Sequence, residues 1–155
     1  MSDEFSLINK TGKRLPRLPV LQLKNEILGA TYDLSVAYVD AKTSQEINKK
    51  YRKKNKPTNV LSFSLSTDSG EIILCPEVIA EQTEKFERNL RELFGFLVIH
   101  GMLHLKGMEH SSKLGRVRME AEEKKYDQKY FSRHRRGHRD DSGHRGRIHQ
   151  RRKIS

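Results

Sequence analysis

A chain of 155 residues, 34% hydrophobic and 33% charged, has apolar sequence for one modest core, and its length suits one domain. Its single cysteine, Cys75, excludes an internal disulfide and points to a reducing compartment. No long apolar run occurs at the acidic N-terminus or elsewhere, which argues against a signal peptide or membrane span and makes the cytoplasm the expected location.

The formal net charge of +11 is unevenly spread, because residues 131–155 hold nine Lys and Arg against Asp140 and Asp141. A polyanion is the natural partner of such a tail, and RNA is the leading candidate, since each phosphate contact releases counterions. The competing reading is a tail that only keeps the protein soluble.

In chain order, residues 5–9 suit a short first strand. Leu21, Leu23, Ile27 and Leu28 then make a helical stripe, with Pro19 ahead of it and Gly29 past its end. Residues 34–39 are β-branched and partly alternating, hence a strand. Thr43 and Glu46 have the spacing of a capping box that opens a helix to about Arg52, and residues 53–59, with Pro57, make a polar loop. Residues 60–64 and 71–75 read as antiparallel strands joined by the turn-rich 67–70. Pro76 starts a short helix, and Asn89 caps a long one that carries His100 and His104. Residues 115–130 form a charged helix with Val117, Met119 and Tyr126 as inward positions. From Phe131 onward Gly, Arg, His, Asp and Ser dominate, and the composition predicts disorder.

Three of the seven histidines, His100, His104 and His110, fall within one short stretch. Positions four apart share a helix face about one turn apart, so His100 and His104 offer two imidazole nitrogens to one point. Gly107 is suited to end that helix, because glycine takes the left-handed conformation cheaply, and the returning chain brings in His110. Three imidazoles with an open fourth position are what a catalytic zinc requires. Leu97, Val98, Ile99, Leu103 and Leu105 make the helix apolar nearly all round, hence buried, and imidazoles there need partners. A lone histidine on such a helix is more often a packing residue; three at this spacing, divided by a helix-stopping glycine, favour a metal site.

His134, His138, His144 and His149 lie among arginines with little apolar sequence to fix a site, and they read as solvated. Cys75, at a strand end, reads as a small core residue rather than a ligand. The spacing of the three candidate ligands also occurs in zinc peptidases whose pattern begins His-Glu-x-x-His. Gly101 stands where their general base would be, and Glu109 is not at that helical position, so a peptidase is disfavoured.

Three motifs follow one another in a recognisable order: Tyr51-Arg52 with Asn55-Lys56-Pro57-Thr58-Asn59-Val60-Leu61-Ser62-Phe63; Gly70-Glu71-Ile72-Ile73-Leu74-Cys75; and His100-Gly101-x-Leu103-His104-Leu105-x-Gly107-x-x-His110. Through them, over residues 33–122, the chain resembles the YbeY family of bacterial metal-dependent endoribonucleases. The resemblance implies an α+β fold in which a small mixed β-sheet is packed with helices in a single domain; composition sets that domain at residues 1–130 and the basic tail at 131–155. It implies one zinc ion per chain on His100, His104 and His110, and a functional arginine at Arg52. It also implies cleavage of single-stranded RNA in the maturation of the 16S ribosomal RNA 3′ end and in ribosome quality control. Small-subunit ribosomal RNA and ribosomal particles are the implied partners, with no membrane.

Arg52 suits that role, because a guanidinium holds a phosphate bidentately and stabilises charge developing on it. Without the resemblance, Arg52 beside Lys53, Lys54 and Lys56 would read as solvated. Asn59 and Ser62 are supporting residues at most, and no carboxylate is assigned as general base. The alternative is a ribosome- or RNA-binding protein with a structural zinc and no catalysis. The chain departs from the family at Met108-Glu109, where Tyr-Asp is usual, in residues 111–116, which lack the usual acidic run, and in its Arg-rich tail.

Overall fold

Strands β1 (Phe5–Asn9), β2 (Asp33–Tyr38), β3 (Val60–Ser66) and β4 (Ser69–Leu74) form one mixed sheet in the order β1-β2-β4-β3 in the computed structural model, which describes residues 5–131. β1 pairs parallel with β2 and β2 with β4, while β3 runs antiparallel to β4 and forms an edge. Successive side chains of a strand point to opposite faces, so each strand feeds two packing layers. Leu34, Val36, Tyr38, Val60, Ile72 and Leu74 enter the larger core, whereas Ala37, Val39, Leu61 and Ile73 enter a smaller one.

Helices α1 (Val20–Ile27), α3 (Pro76–Glu81), α5 (Leu90–Leu105) and α6 (Lys113–Phe131) fill the larger core. Helix α2 (Ala41–Arg52) covers the other face, where Ile47 packs with Phe63 against the smaller core; α4 (Thr83–Phe86) is a single turn between α3 and α5. The expected α+β class with a small mixed sheet is the observed one.

Helix α5 is the centre of the larger layer. Asn89 accepts the Glu92 N–H at 2.8 Å, and the Glu92 carboxylate accepts the Asn89 N–H at 3.1 Å, a reciprocal cap that satisfies two otherwise orphaned donors. Leu93, Phe94, Leu97, Val98, Ile99, Met102 and Leu103 are all fully buried, so the helix is enclosed by the sheet on one side and by α1 and α6 on others. Each such side chain contributes about 1.5–3 kcal/mol relative to exposure.

Several boundaries differ from the sequence expectation. Helix α2 opens at Ala41, ahead of Thr43, because the Asp40 carboxylate accepts the Thr43 N–H at 2.8 Å and is itself the cap. The β3–β4 hairpin closes more tightly than expected, with only Thr67 and Asp68 between its strands and a bulge at Ser64–Ser66. Val117 is exposed; the inward row of α6 is Met119, Glu123 and Tyr126. Phe131 is not part of a disordered tail: it ends α6, and its ring lies on Gly95, where any Cβ would overlap it. The expectation of disorder for the rest of the tail falls outside the described residues.

Candidate metal centre

His100 and His104 sit one turn apart on α5, and their Nε2 atoms are 3.2 Å from each other. A tetrahedral zinc with Zn–N bonds of about 2.0–2.1 Å needs ligand nitrogens about 3.4 Å apart, so this pair already has the spacing of two ligands. The chain then leaves the helix through Gly107, at φ +106°. The Gly107 N–H donates to the His104 carbonyl at 2.9 Å and the Met108 N–H to the Leu103 carbonyl at 3.0 Å, the two bonds of a Schellman cap. This turn brings the His110 ring to 5.2 Å from that of His104 and 5.9 Å from that of His100.

One donor atom from each of the three histidines lies within 4.8 Å of the others. The set is graded, with His100 buried, His104 half-buried and His110 exposed, so the cluster runs from the core to the surface. The donor chemistry fits a zinc ion: three neutral nitrogens suit zinc, whereas magnesium and calcium call for oxygen. Burial, followed by the neighbouring His100 and His110, pushes the His104 pKa down to about 4, so its imidazole is neutral at pH 7 and its lone pair is available.

Glu123, on α6, completes the arrangement and was not foreseen. Its carboxylate lies 2.6 Å from His100 Nδ1, and both residues are buried. A carboxylate there keeps the proton on Nδ1 and leaves the Nε2 lone pair directed at His104 and the metal position. The signal was present: Met119, Glu123 and Tyr126, at spacings of four and three, form one helical face, and a carboxylate in an inward row needs a buried partner.

The loop that carries His110 is shaped by the start of α6. Ser112 caps that helix by accepting the Gly115 N–H at 3.0 Å. A Cβ on Gly115 would come within 2.5 Å of the Glu109 carbonyl oxygen, so only glycine lets the loop lie this close. Gly101, the position where a peptidase would carry its base, faces the sheet, with any Cβ 3.2 Å from Ile72 Cδ1. A carboxylate there would point into the core and away from the triad.

Arg52 is the last residue of α2, exposed, and among the described residues it makes no hydrogen bond or ion pair. No hydrogen bond joins it to the histidines, and α2 and α5 pack on opposite faces of the sheet. Their chain neighbours nonetheless meet adjacent positions of the β3–β4 pair. Neighbouring Tyr51 packs on Phe63 with ring centroids 5.2 Å apart, while Gly101 lies over Ile72, the register partner of Ser62. Ser62 is half-buried in that strand. Asn59 is buried and structural: its Oδ1 accepts the Val60 N–H at 2.6 Å and its Nδ2 donates to Gln82 Oε1 at 2.9 Å. Cys75 is buried at the start of α3, and burial pushes its thiol pKa up, consistent with a core residue.

A family model described as Endoribonuclease YbeY matches residues 9–130. A Legionella pneumophila (strain Corby) protein named Endoribonuclease YbeY is 35% identical over 126 residues, which is 71% of this chain and 78% of that protein. One of the same name from Staphylococcus saprophyticus is 34% identical over 125 residues, 72% of this chain and 82% of that protein. The solution structure of a Thermotoga maritima protein, 27% identical, superposes with a TM-score of 0.63 over 91% of this chain and 99% of that one.

Proposed function

The chain belongs to the Endoribonuclease YbeY family, and from that premise we propose that it is a zinc-dependent endoribonuclease cutting single-stranded RNA. Its proposed substrate is ribosomal RNA, in maturation of the 16S 3′ end and in ribosome quality control, in the cytoplasm and on ribosomal particles. The observation that carries the catalytic reading is the number of donors. Structural zinc sites are closed by four protein ligands, whereas catalytic ones keep a position open. Among the described residues only His100, His104 and His110 gather, and the set reaches the surface at His110. That supports an enzyme over a binder with a structural zinc.

A bound zinc ion would supply Lewis acidity at the scissile phosphate. Glu123 holds the His100 proton at Nδ1, so that this ring presents a lone pair rather than an N–H. His104 stays neutral, with its pKa near 4, and offers its own nitrogen without first losing a proton. Arg52, without a protein partner among the described residues, is available to grip the phosphate with two parallel hydrogen bonds and to stabilise charge growing on it. No helix among the described residues is long and apolar enough to cross a membrane.

The test is metal removal. Chelation should abolish cleavage of a single-stranded RNA and added zinc should restore it, while His104→Ala should neither hold zinc nor cleave. A zinc-free, active His104→Ala variant would overturn the scheme.

A further inference from the structure

Beyond the metal cluster and Arg52, the surface around the end of α2 carries an exposed aromatic ring, Tyr51, backed by the half-buried ring of Phe63. Tyr51 is 59% exposed, and its ring stands 5.2 Å from that of Phe63 at an interplanar angle of 60°. Lys50 Nζ lies 5.3 Å from the Tyr51 ring centroid, a cation placed over the same ring. Leu65, further along β3, is also exposed. Along the chain, the charge about these rings is basic: Lys49, Lys50, Arg52, Lys53, Lys54 and Lys56 precede the strand, and no acidic residue occurs from Ile47 to Thr67. Glu71, the register partner of Phe63, is the acid that borders the pair on the sheet.

We propose that Tyr51 and Phe63 form a base-stacking platform for single-stranded RNA, beside the phosphate grip of Arg52; the proposal rests on the ribonuclease reading above. Aromatic faces interleaved with cations are the recognition chemistry of single strands, because any unpaired base can stack while Lys and Arg hold its phosphates. A duplex buries its base faces and cannot use such a platform. The placement is also apt, since β3 is an edge strand with the platform on one face and the metal-bearing helix on the other. A strand passing over that edge would meet both.

The experiment is equilibrium binding of the chelated full-length protein to a short fluorescent single-stranded oligoribonucleotide and to its duplex. Chelation stops cleavage during the measurement. Tyr51→Ala and Tyr51→Leu should each weaken single-strand binding roughly tenfold, Tyr51→Phe should bind as the parent does, and duplex binding should not move. Leucine keeps the apolar cover on Phe63 but has no π face, so equal loss in both variants separates stacking from packing. Unchanged single-strand binding in Tyr51→Ala, or equal loss on single strand and duplex, would overturn the platform. It would leave the ribonuclease reading in place if the zinc-loaded parent still cleaves. A parent that neither binds nor cleaves single-stranded RNA would overturn that reading and the platform with it.

Discussion

Glu123 shows how one side chain can decide what a neighbouring ring does. Its carboxylate lies 2.6 Å from His100 Nδ1, and a carboxylate there favours the tautomer with the proton on Nδ1. Glu123→Ala should therefore weaken zinc binding by roughly 10–100-fold in a chelator competition, with Glu123→Gln falling between that variant and the parent because it can still accept the Nδ1 proton. Equal zinc affinity in all three proteins would remove Glu123 from the site. His104 carries a second consequence. Its pKa is about 4 in the metal-free fold and near the ordinary value of 6.5 when unfolded, so between those values the unfolded state binds more protons. The metal-free protein should lose stability as pH falls from about 6.5 to about 4, and His104→Leu should show a shallower fall in its urea midpoint over that window. Parallel curves would contradict the assignment.

Whether an element could be read from sequence depended on how many independent signals it carried. Helix α5 carries three that agree: Asn89 at its start, a body apolar nearly all round, and Gly107 past its end. His100 and His104 are therefore legible from the sequence as two residues of one helix face. Helix α6 lacked such agreement, because its inward face holds a carboxylate. With that break in the apolar row, the pattern favours Val117, which is exposed, over the buried Glu123. Thr43 and Glu46 misled differently: the box spacing was real, but Asp40 three residues earlier is the acceptor that the helix uses. The position of α6 matters because it holds Glu123 in place. Asp127 pairs with Arg88 at 3.0 Å, Lys129 and Tyr130 both bond Glu26 of α1, and Phe131 closes over Gly95. At the other end, Gly115→Ala should push back the Glu109 carbonyl and move the His110 loop. We expect weaker zinc binding with little change in the metal-free melting temperature, measured by chelator competition and thermal denaturation; undiminished zinc affinity would show that the loop adapts.

Across the whole molecule, the sheet separates the two halves of the proposed chemistry. The nitrogen cluster belongs to the larger layer and Arg52 to the smaller, and edge strand β3 lies between them. Sequence order alone could not reveal this, because Arg52 and Ser62 are close along the chain while the faces they serve are set by the period of two in β3. Charge acts at the same scale. Residues 132–155 contain nine basic residues, so their deletion should flatten the dependence of RNA affinity on salt concentration, and an unchanged slope would exclude the tail from binding. The proposed reaction has Arg52 and the three histidines acting on one phosphate at that edge strand. It is tested most directly by single-turnover cleavage of a single-stranded RNA by the zinc-loaded parent and by zinc-loaded Arg52→Ala, with zinc content measured in both. Full zinc occupancy is expected in the variant, with a cleavage rate lower by at least about a hundredfold, the scale of losing one charge-stabilising donor. A fully zinc-loaded Arg52→Ala protein that cleaves at the parent rate would contradict it.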